Sequence, residues 1–116
     1  MIPPSGHPYI VIGQGTIVVE FQRQMDGLKD GQLDVVIVPS AGGALLAGIA
    51  LSLHGSGISL YGVEPQQGGA DLAISIFEGR RRELVENYAI ADGLRSPVAE
   101  SNWPIVSDKG ALGFSF

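Results

Sequence analysis

The 116-residue sequence contains no cysteine, which excludes a disulfide framework, a thiolate zinc site and a cysteine nucleophile. Positive charge is scarce as well: 7 Lys and Arg stand against 12 Asp and Glu, for a net charge of -5. Binding to nucleic acid needs a basic patch, and the one basic cluster, residues 80–82, has Glu78, Glu83 and Glu86 close by. That pattern is typical of a solvated helix end, so we expect no nucleic-acid partner.

Long hydrophobic runs are also missing. The first residues carry prolines and no basic flank, so they predict neither a signal peptide nor a membrane span, and the expected location is the cytoplasm. Even so, 45% of the residues are hydrophobic and only 16% are charged. A parallel sheet buried on both faces would give such a composition, and so would a face that more protein normally covers.

The middle of the chain alternates between strand and helix signals. Val35–Val38 is a β-branched run that predicts a strand buried on both faces, and Ile58–Val63 predicts the next strand. Between them, Ala44–Leu53 is rich in Ala and Leu and predicts a helix. Asp71–Phe77 predicts another helix, which Gly79 stops.

The two ends of the chain have weaker signals. Residues 1–9 predict extended coil because their prolines remove helical options. A Gly-Gln-Gly sequence after Ile12 precedes helical spacing that begins at Thr16, a plausible N-cap, although β-branched residues there argue against a helix. Tyr88–Ile90 and Ile105–Val106 predict a third and a fourth strand. Such alternation predicts an α/β domain with right-handed parallel crossovers.

A glycine-rich turn, Ser40–Leu45, follows the first predicted strand and opens the next helix; we call it the glycine turn. The first N–H groups of a helix have no internal partner, and the helix dipole favours an anion such as a phosphate beside them. Further along, Gly48 would let the helix lie close to the sheet. The segment matches neither a P-loop nor the Gly-x-Gly-x-x-Gly dinucleotide pattern. The alternative is a tight strand-to-helix turn that binds nothing.

Five short motifs occur in a distinctive order along the chain. They are Gly13-Gln14-Gly15-Thr16, Val35–Ala50, Tyr61–Pro65, Ala91–Leu94 and Trp103–Asp108. In that order and spacing they resemble the pyridoxal-phosphate enzymes of the serine racemase and serine/threonine dehydratase family, of fold type II, over about residues 8–108. The resemblance implies a three-layer Rossmann-like α/β domain with a short parallel sheet of three or four strands. We expect residues 1–116 to form a single, partial version of the family's large domain, with residues 109–116 as a divergent tail.

The resemblance implies a cofactor site at the glycine turn. In the family, a run of glycines holds the phosphate of pyridoxal phosphate through N–H groups, and a later glycine lies against the cofactor ring. The matching positions are Ala41, Gly42, Gly43, Ala44, Leu45 and, for the ring, Gly93. If Ala41 or Ala44 requires a left-handed backbone, its methyl group costs roughly 1–2 kcal/mol there and weakens cofactor binding without excluding it.

A divalent-cation site is implied beside the cofactor. Glu64 and Asp71 resemble the family's ligands, with a backbone carbonyl of Gly69 between them. All three donors are oxygen atoms, which suits Mg²⁺ or Ca²⁺. The alternative is that Glu64 only ends a strand and Asp71 only caps the next helix.

Catalysis in this family needs a lysine that forms a Schiff base with the cofactor aldehyde. The chain has two lysines, Lys29 and Lys109, and neither falls in a family lysine motif. The family's Ser-x-Gly-Asn-His loop and the polar partner of the pyridine nitrogen are absent as well. The resemblance therefore implies a fragment or truncated member, a pseudoenzyme related to L-serine/L-threonine dehydratases and serine racemases, that is inactive alone.

Two other interpretations remain open. The chain could be a non-catalytic binding or regulatory module that associates with itself or with a full-length relative, since family members commonly dimerise through the larger domain. It could also be an incomplete gene product with no function of its own.

Overall fold

The computed structural model describes residues 1, 3–67, 72–83 and 88–108, and the backbone of residues 112–115. Its helices and strands are α1 (Pro8–Asp26), β1 (Val35–Pro39), α2 (Ala44–Ser52), β2 (Ser59–Glu64), α3 (Leu72–Glu78), α4 (Trp103–Asp108) and β3 (Leu112–Ser115), with one 3-10 turn at Asp92–Leu94. None of the helices in the described part of the chain is long and apolar enough to cross a membrane.

The three strands form one parallel sheet in the order β1-β2-β3. Val36 lies opposite Leu60 and Val38 lies opposite Gly62 across the first pair. The predicted α/β class and the short parallel sheet are confirmed. Since β1 and β3 are the outer strands, β1 has one unpaired edge in the described chain.

Only one face of β1 is buried. Val36 and Val38 are 4% and 5% exposed, whereas Val35 and Ile37, on the opposite face, are 46% and 65% exposed. The prediction that this strand is buried on both faces is therefore wrong for this chain. The described helices leave the second face uncovered.

Helices α2 and α3 cover the buried face together. A Cβ atom added to Gly62, in the middle of β2, would lie 2.7 Å from the side chain of Leu72 and 2.8 Å from that of Leu46. Both leucines are fully buried. The absence of a side chain at Gly62 thus lets both helices press onto the same strand.

Helix α1 is longer than predicted. It begins at Pro8, which is favourable at a first helical position, and His7 is its N-cap, with Nδ1 accepting a hydrogen bond from the N–H of Tyr9 at 3.3 Å. The helix continues without a break through the Gly-Gln-Gly sequence, so the prediction of coil through residue 9 and of an N-cap at Thr16 is wrong. The Thr16 hydroxyl instead donates to the carbonyl of Gly13 at 2.8 Å.

Glycines allow α1 and α2 to touch backbone to backbone. A Cβ atom on Gly48 would overlap the carbonyl oxygen of Val11 and the nitrogen of Gly15. The Ser52 hydroxyl also donates to the carbonyl of Gly15 at 2.9 Å. Gly48 therefore allows close packing of α2 against α1. The prediction that it lets the helix lie close to the sheet is wrong.

The third strand is formed by residues 112–115 and not by either predicted segment. Tyr88–Ile90 is irregular, and Ile105–Val106 lies within α4, where both N–H groups donate to the carbonyl of Asn102 at 3.1 Å. The two strand predictions are wrong. The interpretation of residues 109–116 as a divergent tail stays a prediction.

Candidate functional site

The glycine turn connects the end of β1 to the start of α2. Gly43 is the N-cap of α2 and has φ 81° and ψ 2°, in the left-handed region that favours glycine. Within this fully described turn no other residue has a positive φ. Ala41 and Ala44 therefore have ordinary backbone conformations, and the strain considered for alanine at these positions does not arise.

Most N–H groups of the glycine turn have no hydrogen-bond partner among the described residues. Those of residues 41–45 donate to no other described residue. Gly43 has no side chain to cap the helix, and the first turn of α2 has no acidic residue. Two carbonyl groups of the turn are paired: Gly43 O accepts from the N–H of Ala47 at 2.8 Å and Gly42 O from that of Ala99 at 3.0 Å. This arrangement of open donors and paired acceptors favours an anion.

A cavity of about 360 Å³, here the turn cavity, lies over the glycine turn. It brings together all six residues predicted to bind the cofactor: Ala41, Gly42, Gly43, Ala44, Leu45 and Gly93. Among the described residues that line it, none has a charged side chain. An anion here would be held by N–H groups and hydroxyls, without a counter-charge.

Part of this lining could not be predicted from the sequence. The N-terminal segment, residues 3–6, contributes Pro4 and Ser5, while Gln14 and Ser96 come from α1 and from the loop after the 3-10 turn. A Cβ atom added to Gly42 would lie 2.5 Å from Oγ of Ser5, so this glycine is required by the chain that crosses it. No local sequence signal reveals such a contact between distant segments.

Asn102 joins the N-terminal segment to the glycine turn. Its Nδ2 donates to the carbonyl oxygens of Ser5 at 2.7 Å and Gly42 at 2.8 Å, and the residue is 1% exposed. Nearby, the Ser101 hydroxyl donates to the carbonyl of Gly6 at 3.2 Å. Asn102 was not predicted as a site residue, because its two partners are 97 and 60 positions away in the chain.

Glu64, the first predicted metal ligand, is buried at the end of β2. Its Oε2 accepts from the N–H of Leu72 at 2.8 Å and its Oε1 from that of Ala73 at 2.9 Å, so Glu64 caps α3. Gly69 and Asp71 lie outside the described residues. Among the residues that are described, no three His, Asp or Glu side chains form a group that could hold a metal ion. The cation site therefore stays a prediction.

The basic cluster at residues 80–82 is paired with carboxylates. Arg82 donates to both oxygens of Glu78, at 3.1 and 2.5 Å, and Arg80 lies 3.0 Å from the same carboxylate. The hydrogen bond from Arg82 first, and then the charges of Arg82 and Arg80, lower the pKa of Glu78 below 4.5, although desolvation opposes them. Arg81 pairs with Glu83 at 3.2 Å, and Glu86 lies outside the described residues.

Pyridoxal phosphate fits the donor set of the turn cavity. The open N–H groups of residues 41–45 would hold its phosphate, and Gly93 leaves room for its ring, since a Cβ atom there would meet nothing within 4 Å. The covalent anchor is not found among the described residues of this cavity. Lys29 lies in an exposed loop outside the lining, and Lys109 lies outside the described residues.

A parallel sheet whose first strand runs into a helix N-terminus is an arrangement at which many α/β domains bind phosphate. Comparison with known proteins identifies the family: a profile described as "Pyridoxal-phosphate dependent enzyme" matches residues 1–115. Serine racemase of Arabidopsis thaliana is 36% identical over 108 residues, which are 88% of this chain and 31% of that protein. A chloroplastic biosynthetic threonine dehydratase of Solanum lycopersicum is 42% identical over 95 residues, 80% of this chain and 15% of that protein.

Solved structures agree with the sequence comparison. The structure of maize serine racemase matches with a TM-score of 0.88 at 32% identity, over 99% of this chain and 35% of that one. The chain belongs to the family of pyridoxal-phosphate-dependent enzymes, and the predicted resemblance to serine racemases and serine/threonine dehydratases is confirmed. It spans about a third or less of the length of these relatives.

Proposed function

We propose that the chain is the phosphate-holding part of a pyridoxal-phosphate-dependent enzyme that acts on L-serine or L-threonine, as a dehydratase or a racemase. One observation carries the proposal: the turn cavity unites open N–H groups of residues 41–45 with Gly93. When bound, pyridoxal phosphate supplies an electron sink that makes the α-proton of an amino acid acidic. The residues of this chain would bind the phosphate and orient the ring.

Phosphate-dependent binding is the first test. Pyridoxal phosphate itself can condense with an exposed amine such as Lys29, so pyridoxamine 5′-phosphate, which has no aldehyde, is the better probe. In calorimetric titration we expect it to bind, pyridoxamine without phosphate to bind far more weakly, and inorganic phosphate to compete. Equal affinity for pyridoxamine 5′-phosphate and pyridoxamine would contradict a phosphate site.

We further propose that the chain alone has no catalytic activity, because no lysine of its described residues lines the turn cavity. The test adds pyridoxal phosphate and L-serine or L-threonine to the pure chain and follows pyruvate, 2-oxobutyrate and D-serine. A full-length serine racemase serves as the positive control. Product formation by the pure chain above the rate of free cofactor would refute this proposal.

A second candidate function is that of a binding or regulatory module. The exposed face of β1, with Val35 and Ile37, favours it, because an apolar sheet face is normally covered. We infer a full-length relative as the occupant, since relatives have two thirds or more of their length outside the matched region. Self-association is the competing outcome.

Light scattering after size exclusion separates these outcomes. We expect the chain to co-elute with a full-length relative, Ile37→Lys to abolish co-elution, and Val19→Lys, at an exposed position of α1, to leave it unchanged. A wild-type chain that elutes as a monomer both alone and in the mixture would exclude the module.

We also propose a divalent-cation site at Glu64, Gly69 and Asp71. If Mg²⁺ or Ca²⁺ binds through Glu64, Gly69 and Asp71, either ion would raise the melting temperature, and Asp71→Asn would remove the increase. We propose a cytoplasmic location, which cell fractionation tests directly; localisation to a chloroplast, as for the tomato dehydratase, would contradict it.

A further inference from the structure

Asn102 is a buried polar residue whose side chain is hydrogen-bonded to two distant segments of the chain. It stands directly before α4, and its Nδ2 donates to one carbonyl in the N-terminal segment and one in the glycine turn, at 2.7 and 2.8 Å. A buried amide that satisfies two carbonyl groups is costly to replace, because each carbonyl then loses a partner.

The Gly42 carbonyl has two donors, both from the loop before α4. Besides Nδ2 of Asn102, the N–H of Ala99 donates to it at 3.0 Å. The carbonyl of Gly42 and the N–H of Gly43 belong to one planar trans peptide, so they point in opposite directions. Fixing the oxygen towards Asn102 therefore fixes the Gly43 N–H on the other side of the peptide, where it donates to no described residue.

The second bond of Asn102 places the N-terminal segment. Its acceptor is the carbonyl of Ser5, whose side chain lies against Gly42 and lines the turn cavity. One amide group thus sets both the orientation of a phosphate-binding peptide and the position of the segment that borders the same cavity.

We propose that Asn102 is a positioning residue for phosphate binding: it orients the Gly42–Gly43 peptide and holds the N-terminal segment at the edge of the turn cavity. This inference rests on the proposed phosphate site. Asn102 itself touches no ligand. Its effect reaches the phosphate through the Gly43 N–H.

The test compares variants of the full chain in titrations with pyridoxamine 5′-phosphate. Asn102→Ala removes both hydrogen bonds and should raise the Kd about tenfold, the cost of roughly one well-placed hydrogen bond. Asn102→Ser keeps a single donor and should give a smaller increase. Ser101→Ala, which removes only the bond to Gly6, should stay close to wild type. Wild-type affinity in folded Asn102→Ala would overturn the proposal.

Amide resonances give a second measurement that does not depend on affinity. In both Asn102 variants, the resonance of the Gly43 N–H should shift further from its wild-type position than it does in Val18→Ala, a destabilised control with a buried side chain in α1. If the wild-type chain binds no phosphate, the proposed function fails, and the amide data alone decide about Asn102. A Gly43 amide that is unchanged relative to Val18→Ala would overturn the positioning role.

Discussion

Gly43 and Gly42 are both glycines for physical reasons that differ. Gly43 has a φ of 81°, which L side chains rarely adopt, while Gly42 has no room for a Cβ atom because Ser5 lies against it. Ala41 and Ala44, which the family resemblance matches to glycines, have no positive φ. The turn thus keeps glycine where conformation or crowding demands it, and alanine occurs where neither does.

Replacing Gly43 tests whether the turn requires glycine at this position and not at Ala41. Gly43→Ala should lower the free energy of unfolding by about 1–3 kcal/mol, because the left-handed backbone is strained with a side chain. The new Cβ atom would also lie 2.9 Å from a methyl group of Val98. Ala41→Gly, the matched control, should change it by about 1 kcal/mol or less. Urea denaturation measures both, and equal effects would contradict the assignment of strain to Gly43 alone.

That the six residues predicted to bind the cofactor line one cavity could be foreseen from the sequence, because five of them are contiguous and the motif order points to the sixth. Ser5 and Asn102 could not, since their contacts with Gly42 depend on how distant segments fold together. Local patterns carry information on turns and caps, but not on long-range hydrogen bonds.

At the scale of elements, α1 shows packing overriding local propensity. Glycine in a helix interior costs about 1 kcal/mol relative to alanine, which is why the Gly-Gln-Gly sequence predicted a boundary. At Gly15 the close packing of α2 offsets this cost, because α2 approaches so closely that no side chain fits. Gly13, two residues earlier, is exposed and has no such contact.

The two glycines of α1 should therefore respond oppositely to alanine. Gly15→Ala should destabilise the chain by about 1–3 kcal/mol, because its Cβ atom would lie 2.5 Å from Oγ of Ser52 and 2.8 Å from the carbonyl of Gly48. Gly13→Ala should stabilise it by up to about 1 kcal/mol, since a Cβ atom there meets nothing within 4 Å. Thermal melts of the two variants decide; effects of the same sign would refute the close helix contact.

Helix α4 and strand β3 were missed for a related reason. Two β-branched residues, Ile105 and Val106, favour a strand locally, but the carbonyl of Asn102 accepts from both of their N–H groups and begins a helix. The last four described residues pair with β2 although their sequence has no strong strand signal. In both cases tertiary partners decide what a short segment becomes.

The stability of the C-terminal end of α3 should depend on pH because of Glu78. Its pKa is lowered in the folded chain, so its contribution to stability is present above the ordinary value of 4.5 and is lost as pH falls through the lowered value. Glu78→Gln should lower the melting temperature slightly at pH 7. The difference in melting temperature between wild type and variant should vanish at a pH below the lowered pKa of Glu78, where the carboxyl group is protonated. Glu100→Gln, at an exposed carboxylate, is the control. A difference in melting temperature that grows as the pH falls would contradict a lowered pKa of Glu78.

The composition of the chain allows two explanations for its high apolar content, and the structure argues against one of them. Burial of a sheet on both faces does not occur in the described chain, because Val35 and Ile37 remain exposed. The other explanation, an apolar face that further protein normally covers, stays a prediction. Class and sheet type could be predicted from alternating local signals, whereas the exposed face could not, since it depends on which neighbours are present.

A site-resolved titration shows whether the glycine turn of this chain holds a phosphate. Amide resonances of a ¹⁵N-labelled chain are followed as pyridoxamine 5′-phosphate is added, with pyridoxamine as the control. We predict saturable shifts at residues 41–45 and Gly93 with the phosphorylated compound only. Absence of shifts at residues 41–45, or identical shifts with both compounds, would contradict the account.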